Sequence, residues 1–543
     1  GLSIEDISAE QITLENTERS LKVTLQAPKI ASISFPNDQQ IVLRGLQLDS
    51  LDADDATSGV KANIKAGKIK ELQFENTPTG PKIKLSQVKS DEISAGVLQN
   101  KVSLKLGKSS LESLNLDGSQ KGKLDLTLQS IASEGAFRYH NQDEGMDIEG
   151  KGLSKISSLD FHYQLDPSGA FQVESEVHFS GKVQEFKLVH PSVGNLALGE
   201  TEFGESSFKA GLKWDANATK PSSSNISVSL DLPKAEVKEG HVRLVDVGDS
   251  SLKNGKIQLE KSGDVLTAQV SGNLNLKLKK IDIPPIDLIL KGFSLQGSLE
   301  DIEISGAGVL TLGPTAVSLS KLNPESGGAT LQIKGLAKDL KFSDDPSQRS
   351  ESLKKLAYNK AVKSQMALKE AKVGVGDLEE FEFLLGSKDK AQKPNLKTLK
   401  VKDFGITEIR AGGRIWANFP VFGWLMGKFP EIGKATKALP NQDANSEIRF
   451  DEWDTHEENG SKVTRLNKLL VQLFEVGGRN QLARFFLPSL QVSPGKIDTG
   501  KEPMELEVFL KDQDRGGEFE FKLKDEDLSK RRRRKAPTAS KGN

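Results

Sequence analysis

The sequence predicts a mostly β fold: a long, twisted, mainly antiparallel repetitive sheet, curled into a groove, with a helix-containing C-terminal region. Three observations predict it. Apolar and polar residues alternate with period two along many short runs, which puts one apolar and one polar face on each strand. Gly, Asp, Asn and Ser clusters separate the runs at intervals of roughly 10 to 20 residues, a spacing that suits an all-β meander rather than βαβ units. Aromatic residues are 6% of the chain while 49 of its 543 residues are Gly, which fits a thin extended structure better than a thick globule.

Residues 1–345 read as strand after strand. Ile64, Ile69, Leu72 and Phe74 open the series, followed by Ile83, Leu85 and Val88, then Val102, Leu104 and Leu106. Turn signals lie at Asn76 to Pro81, at Ser90-Asp91 and at Asp117-Gly118-Ser119. The alternation is clearest at Leu124, Leu126 and Leu128, at Ile226, Val228 and Leu230, and at Leu274, Leu276 and Leu278, continuing to Ile281 and Ile283. The polar stretch from Asp215 to Ser224 is a soft boundary, and no strict repeat period is present.

Residues 346–528 form a mixed α/β region. Ser343 to Ser352 ends the strand series, and Leu353, Leu356, Ala357, Ala361 and Met366 then lie on one helical stripe. Gly386 to Asn395 is a charged loop. Val463, Leu466, Leu469, Leu470, Leu473 and Phe474 show helical spacing, with Ser461 as N-cap and Gly477-Gly478 as the stop. A second short helix carries Leu482, Phe485 and Phe486 and stops near Pro488. Strands return at Met504, Leu506 and Val508 and at Phe519, Phe521 and Leu523. Residues 529–543 are a disordered basic tail, too polar to pack.

Lys plus Arg is 75 and Asp plus Glu 76, so net charge is -1 and the balance gives no reason to expect a nucleic-acid partner. The absence of Cys excludes disulfides, thiolate metal sites and Cys nucleophiles. No apolar run approaches the length of a membrane span. His140, His162, His178, His190, His241 and His456 form no metal-binding spacing, and no phosphate loop, nucleophile elbow or dinucleotide fingerprint occurs. The expectation is therefore no enzyme, no metal and no cofactor.

Three features carry functional meaning. An apolar sheet face must be covered by something. Either the sheet closes on itself over a dry core, or it stays open and offers its apolar rows to acyl chains. The segment Arg414 to Pro430 crowds Trp416, Phe419, Phe422, Trp424, Leu425 and Phe429 together. It is either a plug packed on the sheet or a contact with a membrane interface or a partner. The run with Arg531, Arg532, Arg533 and Arg534 is either a solubilising tail or a basic site for anionic lipid, nucleic acid or an import receptor.

The stretch SVSLDLPKAEVKEGHVRLVDVGDSSLKNGKIQLEK, with LTAQVSGNLNLKLKKIDIPPIDLILKGFSLQGSLEDIEISGAGVLTL after it, resembles the AsmA and TamB-like proteins of Gram-negative envelopes. Residues 226–336 carry the likeness best and residues 1–200 more loosely, as a style of strand and return with no signature residue. The resemblance implies a curled sheet with an apolar groove, placed in the periplasm or cell envelope of a Gram-negative bacterium, that conducts phospholipid between membranes. The region after residue 350 matches no part of that family, and the family's N-terminal membrane anchor is not in this sequence.

The expected function is that of a non-enzymatic envelope protein whose apolar β-groove binds or conducts phospholipid or another acyl lipid, with a membrane interface and an envelope protein as further partners. The groove candidates are Leu124, Leu126, Leu128, Ile226, Val228, Leu230, Leu274, Leu276, Leu278, Ile281 and Ile283. The alternative is a structural or adhesive surface protein with a closed β core and no ligand.

Overall fold

The computed structural model describes residues 2–16, 21–56, 59–97, 101–143, 145–191, 194–214, 225–263, 265–287, 293–323, 325, 330–344, 364–385, 394–413, 442–474, 481–512 and 517–524. Every regular element among them is a strand. The chain divides into two compact units, residues 1–274 with 310–314, and residues 275–309 with 315–543.

In the first unit the chain runs up and down in long lines, many of them split by a short break. The first line is β1 (Leu2–Ser8) and β2 (Gln11–Asn16), and it returns as β3 (Leu21–Gln26) and β4 (Lys29–Asn37). Then come β5 (Gln40–Gln47) and β6 (Ser50–Asp55), β7 (Val60–Lys65) and β8 (Lys68–Asn76), β9 (Pro81–Ser90) and β10 (Glu92–Val97). Unbroken lines follow: β11 (Val102–Asp117), β12 (Lys123–Asn141), β13 (Met146–Leu165) and β14 (Phe171–His190). The last are β15 (Gly194–Leu198) with β16 (Thr201–Trp214), β17 (Asn225–Val237) with β18 (Gly240–Val242), β19 (Val245–Val247) with β20 (Ser250–Ser262), and the start of β21 (Val265–Asp287), whose residues from Asn275 belong to the second unit. Each line pairs antiparallel with the next, as in β1 with β4, β5 with β8 and β12 with β13.

The breaks stay hydrogen-bonded across lines. Ala27 N donates to Glu10 O at 2.7 Å, Leu48 N to Gly67 O at 2.9 Å and Gly199 N to Glu239 O at 2.8 Å. They also explain a closed eight-strand antiparallel barrel of neighbours, β14–β15–β18–β19–β21–β20–β17–β16. β14 is paired with β13 along one whole edge, so its other edge serves both β15 and β16. The ring therefore closes around the aligned breaks in three long lines.

A second irregularity crosses the sheet as a crease. Asp6, Gly45, Gln87 and Ser130 have φ of 51°, 66°, 49° and 50°, one on every second line. A left-handed residue inside a strand acts as a bulge and shifts the parity of inward positions by one. Apolar residues accordingly stand three apart across the crease: Leu43 and Leu46, Ile69 and Leu72, Leu85 and Val88, Leu128 and Ile131. A buried cluster of Leu25, Ile30, Leu46 and Leu48 forms beside it, with Ile33, Leu43 and Ile69 packed on it.

The second unit continues the same style with β22 (Phe293–Leu312), β23 (Ala316–Lys321), β24 (Leu331–Asp344), β25 (Ser364–Leu384) and β26 (Asn395–Gly413). β27 (Gln442–Glu458), β28 (Ser461–Phe474), β29 (Gln481–Ser493), β30 (Lys496–Asp498), β31 (Glu505–Asp512) and β32 (Gly517–Lys524) follow. The pairs β24·β25, β25·β26, β26·β27, β27·β28 and β28·β29 are antiparallel, and Ala371 and Ile409 are buried at the heart of the unit.

The expected helix-containing C-terminal region is overturned. Val463 to Phe474 is strand β28, and the Leu482–Phe486 stretch belongs to strand β29, which runs straight through Pro488. The false helical period has a specific cause. Lys468 has φ of 51°, so Leu466 and Leu469 fall three apart on the strand as they would on a helix face. Pro488 stands opposite Lys468, between the pairs Asn467↔Ser489 and Leu469↔Leu487. Proline is tolerated in a sheet at such a bulge. Met366 lies in β25, while Leu353, Leu356, Ala357, Ala361 and Gly477-Gly478 lie outside the described residues.

Candidate functional site

The register of the first unit assembles the apolar positions into continuous rows. One row runs Ile4–Ile33–Leu43–Leu72–Leu85–Leu114 and on through Leu128–Leu159–Val177–Phe208–Leu230–Ile257, one residue from each of twelve strands. Neighbouring strands are about 4.8 Å apart, so this row extends on the order of 50 Å. A second row, Ile41–Phe74–Ile83–Leu116–Leu126–Phe161, lies two residues away toward the turns. Beyond the crease a third begins at Leu46–Ile69–Val88–Leu111–Ile131–Ile156–Phe179. Cross-strand apolar pairs are the unit of sheet stabilisation, and here they are chained across the whole unit.

Apart from the buried Val42 beside Leu43, the neighbours of the first-row residues face the other way and are polar. Arg44 Nε meets Glu71 Oε2 at 2.8 Å, Ser113 Oγ donates to Gln129 Oε1 at 3.4 Å, and Ser207 Oγ donates to Asp231 Oδ2 at 3.4 Å. Histidines join this polar face. His162 Nδ1 lies 2.7 Å from Asp125 and His140 Nδ1 2.9 Å from Asp147. The hydrogen bond with His140 is the main cause holding the Asp147 carboxyl below its usual range. Members of the first apolar row from Ile33 to Ile257 are half-buried, and Ile4 is exposed.

Three of the eleven sequence-derived groove residues fall on these rows. Leu128 and Leu230 share the first row, Leu126 lies in the second, and Leu124 pairs with Tyr163. Ile226 pairs with Leu212 and Val228 with Ala210 and Leu259. On β21, Leu274, Leu276, Leu278, Ile281 and Ile283 are half-buried while Asn273, Asn275, Lys277, Lys279 and Asp282 between them are exposed. Reading the chain strand by strand missed Leu159, Val177 and Phe208 as row members. The three-residue apolar step from Ile156 to Leu159 was the available signal for the first of them. Trp416, Phe419, Phe422, Trp424, Leu425 and Phe429, and the basic run Arg531, Arg532, Arg533 and Arg534, lie outside the described residues.

A separate charged centre lies in the second unit. The Glu379 side chain is 4% exposed and is surrounded by Lys402 Nζ at 2.9 Å, Lys400 Nζ at 2.7 Å and Lys321 Nζ at 3.4 Å. A bulge in the β25–β26 register between Leu378 and Glu380 turns it inward, and buried Thr330 donates from Oγ1 to its backbone oxygen at 2.8 Å. Burial is the strongest single influence and opposes ionisation. The contacts and charges of Lys400 and Lys402 outweigh it and hold the carboxyl down at about 2. Among the described residues no three His, Asp or Glu side chains gather closely enough to hold a metal ion, and no helix is long and apolar enough to cross a membrane.

Comparison of the chain with known protein families, with curated proteins and with solved structures finds no match to any of them.

Proposed function

We propose that this chain is a non-enzymatic lipid-handling protein of the cell envelope, whose apolar rows receive acyl chains while headgroups stay in water. The observation that carries this reading is the unbroken apolar row from Ile4 to Ile257, half-buried rather than sealed along its length. An acyl chain laid along it keeps its methylenes out of water, worth about 0.8 kcal/mol for each CH₂. Passage along the row needs no covalent step, since each position resembles the last. The likeness of residues 226–336 to AsmA and TamB-like proteins points the same way and adds the Gram-negative envelope and phospholipid as the setting.

Native mass spectrometry of the purified chain, with lipid extraction of the same sample, tests it. Phospholipid at reproducible stoichiometry, lost in a folded Leu128→Asp variant, is the expected result. A clean apo mass with no uptake from offered liposomes would sink the proposal. That outcome would favour a structural or adhesive protein, a reading to which the closed ring from β14 to β21 lends support.

A further inference from the structure

We infer that the turn-end rim of the first unit, around Leu165, Phe171 and Trp214, docks on an anionic bilayer surface. β13 and β14 are joined there by a stiff turn, in which Asp166 N donates to Ala170 O at 2.8 Å and Ser168 N to Asp166 Oδ1 at 2.6 Å. Beside the turn the Phe171 ring stands 6.3 Å from Tyr163 and stacks on Trp214 at 5.9 Å. The register Leu165↔Phe171↔Trp214 then Lys213↔Asn225↔Ser262 puts the ends of β13, β14, β16, β17 and β20 on one rim, which the start of β21 joins. Apolar side chains protrude along it: Leu165 is 43% exposed, Val265 50% and Leu266 55%.

Tyr and Trp carry an apolar body and a polar tip and settle at the headgroup level, while exposed leucines enter the acyl boundary beneath. Lys121, Lys123 and Lys213 are exposed on the same rim, with no carboxylate paired to them among the described residues. They supply the charge that anionic headgroups complement. An acidic peptide would satisfy the lysines but leave Leu165, Val265 and Leu266 in water, so the combination favours lipid. This contact is distinct from cargo held on the apolar rows and extends beyond the function proposed above.

The test uses the full chain with Trp416→Phe, Trp424→Phe and Trp453→Phe, which leaves Trp214 as the sole tryptophan. It is mixed with vesicles of phosphatidylcholine and phosphatidylglycerol whose acyl chains carry bromine. Trp214 emission should shift to the blue and be quenched. Leu165→Ser with Leu266→Ser should weaken vesicle binding about tenfold for each leucine, with circular dichroism unchanged. Lys121→Gln, Lys123→Gln and Lys213→Gln together should remove the dependence on phosphatidylglycerol. Trp214 emission that ignores the vesicles, or binding that survives the double leucine change, overturns the inference. So does capture of polyglutamate without any vesicle response, which would assign the rim to an acidic polypeptide. A clean apo mass with docking intact defeats only the lipid-handling proposal, and co-purifying lipid that is lost in Leu128→Asp, without any docking, defeats only this contact.

Discussion

Glu379 shows how a single carboxylate can tie four side chains together. Its pKa is depressed from the ordinary 4.5 to about 2, so the folded state holds its charge where the unfolded chain would protonate. Its stabilisation is therefore complete above the unfolded pKa of about 4.5 and is lost as pH falls toward 2, a difference of roughly 3 kcal/mol. Denaturant midpoints measured across that interval should fall for the wild type more than for Glu379→Gln. The variant should already be weakened by about 2 to 3 kcal/mol at neutral pH, because three lysines lose their counter-charge. Equal pH slopes for the two proteins would remove this residue from the account. Exposed pairs such as Lys22–Glu15 and Lys61–Asp54 should each change stability by less than about 1 kcal/mol when broken. Backbone conformation is the other residue-scale constraint. Gly45 has φ of 66°, and a Cβ there would stand 2.8 Å from the Ala31 Cβ. Gly45→Val should cost about 2 kcal/mol or more, read from the shift in urea midpoint.

At the scale of one strand, the crease decides which way side chains face. β12 presents Leu124, Leu126 and Leu128 before Ser130, and Ile131, Phe137 and Tyr139 after it. Ser130→Val disfavours the left-handed conformation, and an extended residue at 130 turns one half of the strand's apolar set toward water. Hydrogen exchange should show protection lost in β12 and in its partners β11 and β13, with retention of wild-type protection counting against the crease. Proline placement offers a second test. Pro488 faces the left-handed Lys468, where the ladder is already interrupted, so Pro488→Ala should change stability by less than about 1 kcal/mol. Leu487, one residue earlier, pairs directly with Leu469, and Leu487→Pro should cost about 3 kcal/mol. Pro233 follows the same rule, since it stands opposite Asn254 with φ of 51°.

Across the whole molecule, stability comes from repetition of one local device: long antiparallel lines, each with an apolar and a polar face. Ligand linkage is the observable at this scale. If acyl lipid binds only the folded chain, offering it at about 100 times its Kd should add about 2.7 kcal/mol of stability and raise the Tm. Leu128→Asp should abolish that rise while Gln129→Asp, on the opposite face, should keep it. An equal rise in both variants would mean that lipid does not use the row. The net charge of -1 gives no long-range field to assist binding, so local rows and rims must do it.

Period-two alternation determined the strands, their faces and the candidate residues, because side-chain direction on a strand is a local property of the backbone. Leu124 to Leu128 and Leu274 to Ile283 were legible for that reason. The C-terminal strands were not. Leu466 and Leu469 stand on either side of the left-handed Lys468, and a bulge written into a strand leaves the same apolar spacing as a turn of helix. Only the tertiary structure decided the register. Leu128 meets Leu114 and Leu159 through the registers of β12 with β11 and β13, and Glu379 meets Lys321 across 58 residues. Such pairings depend on the summed fit of many neighbours, which no single strand's sequence contains.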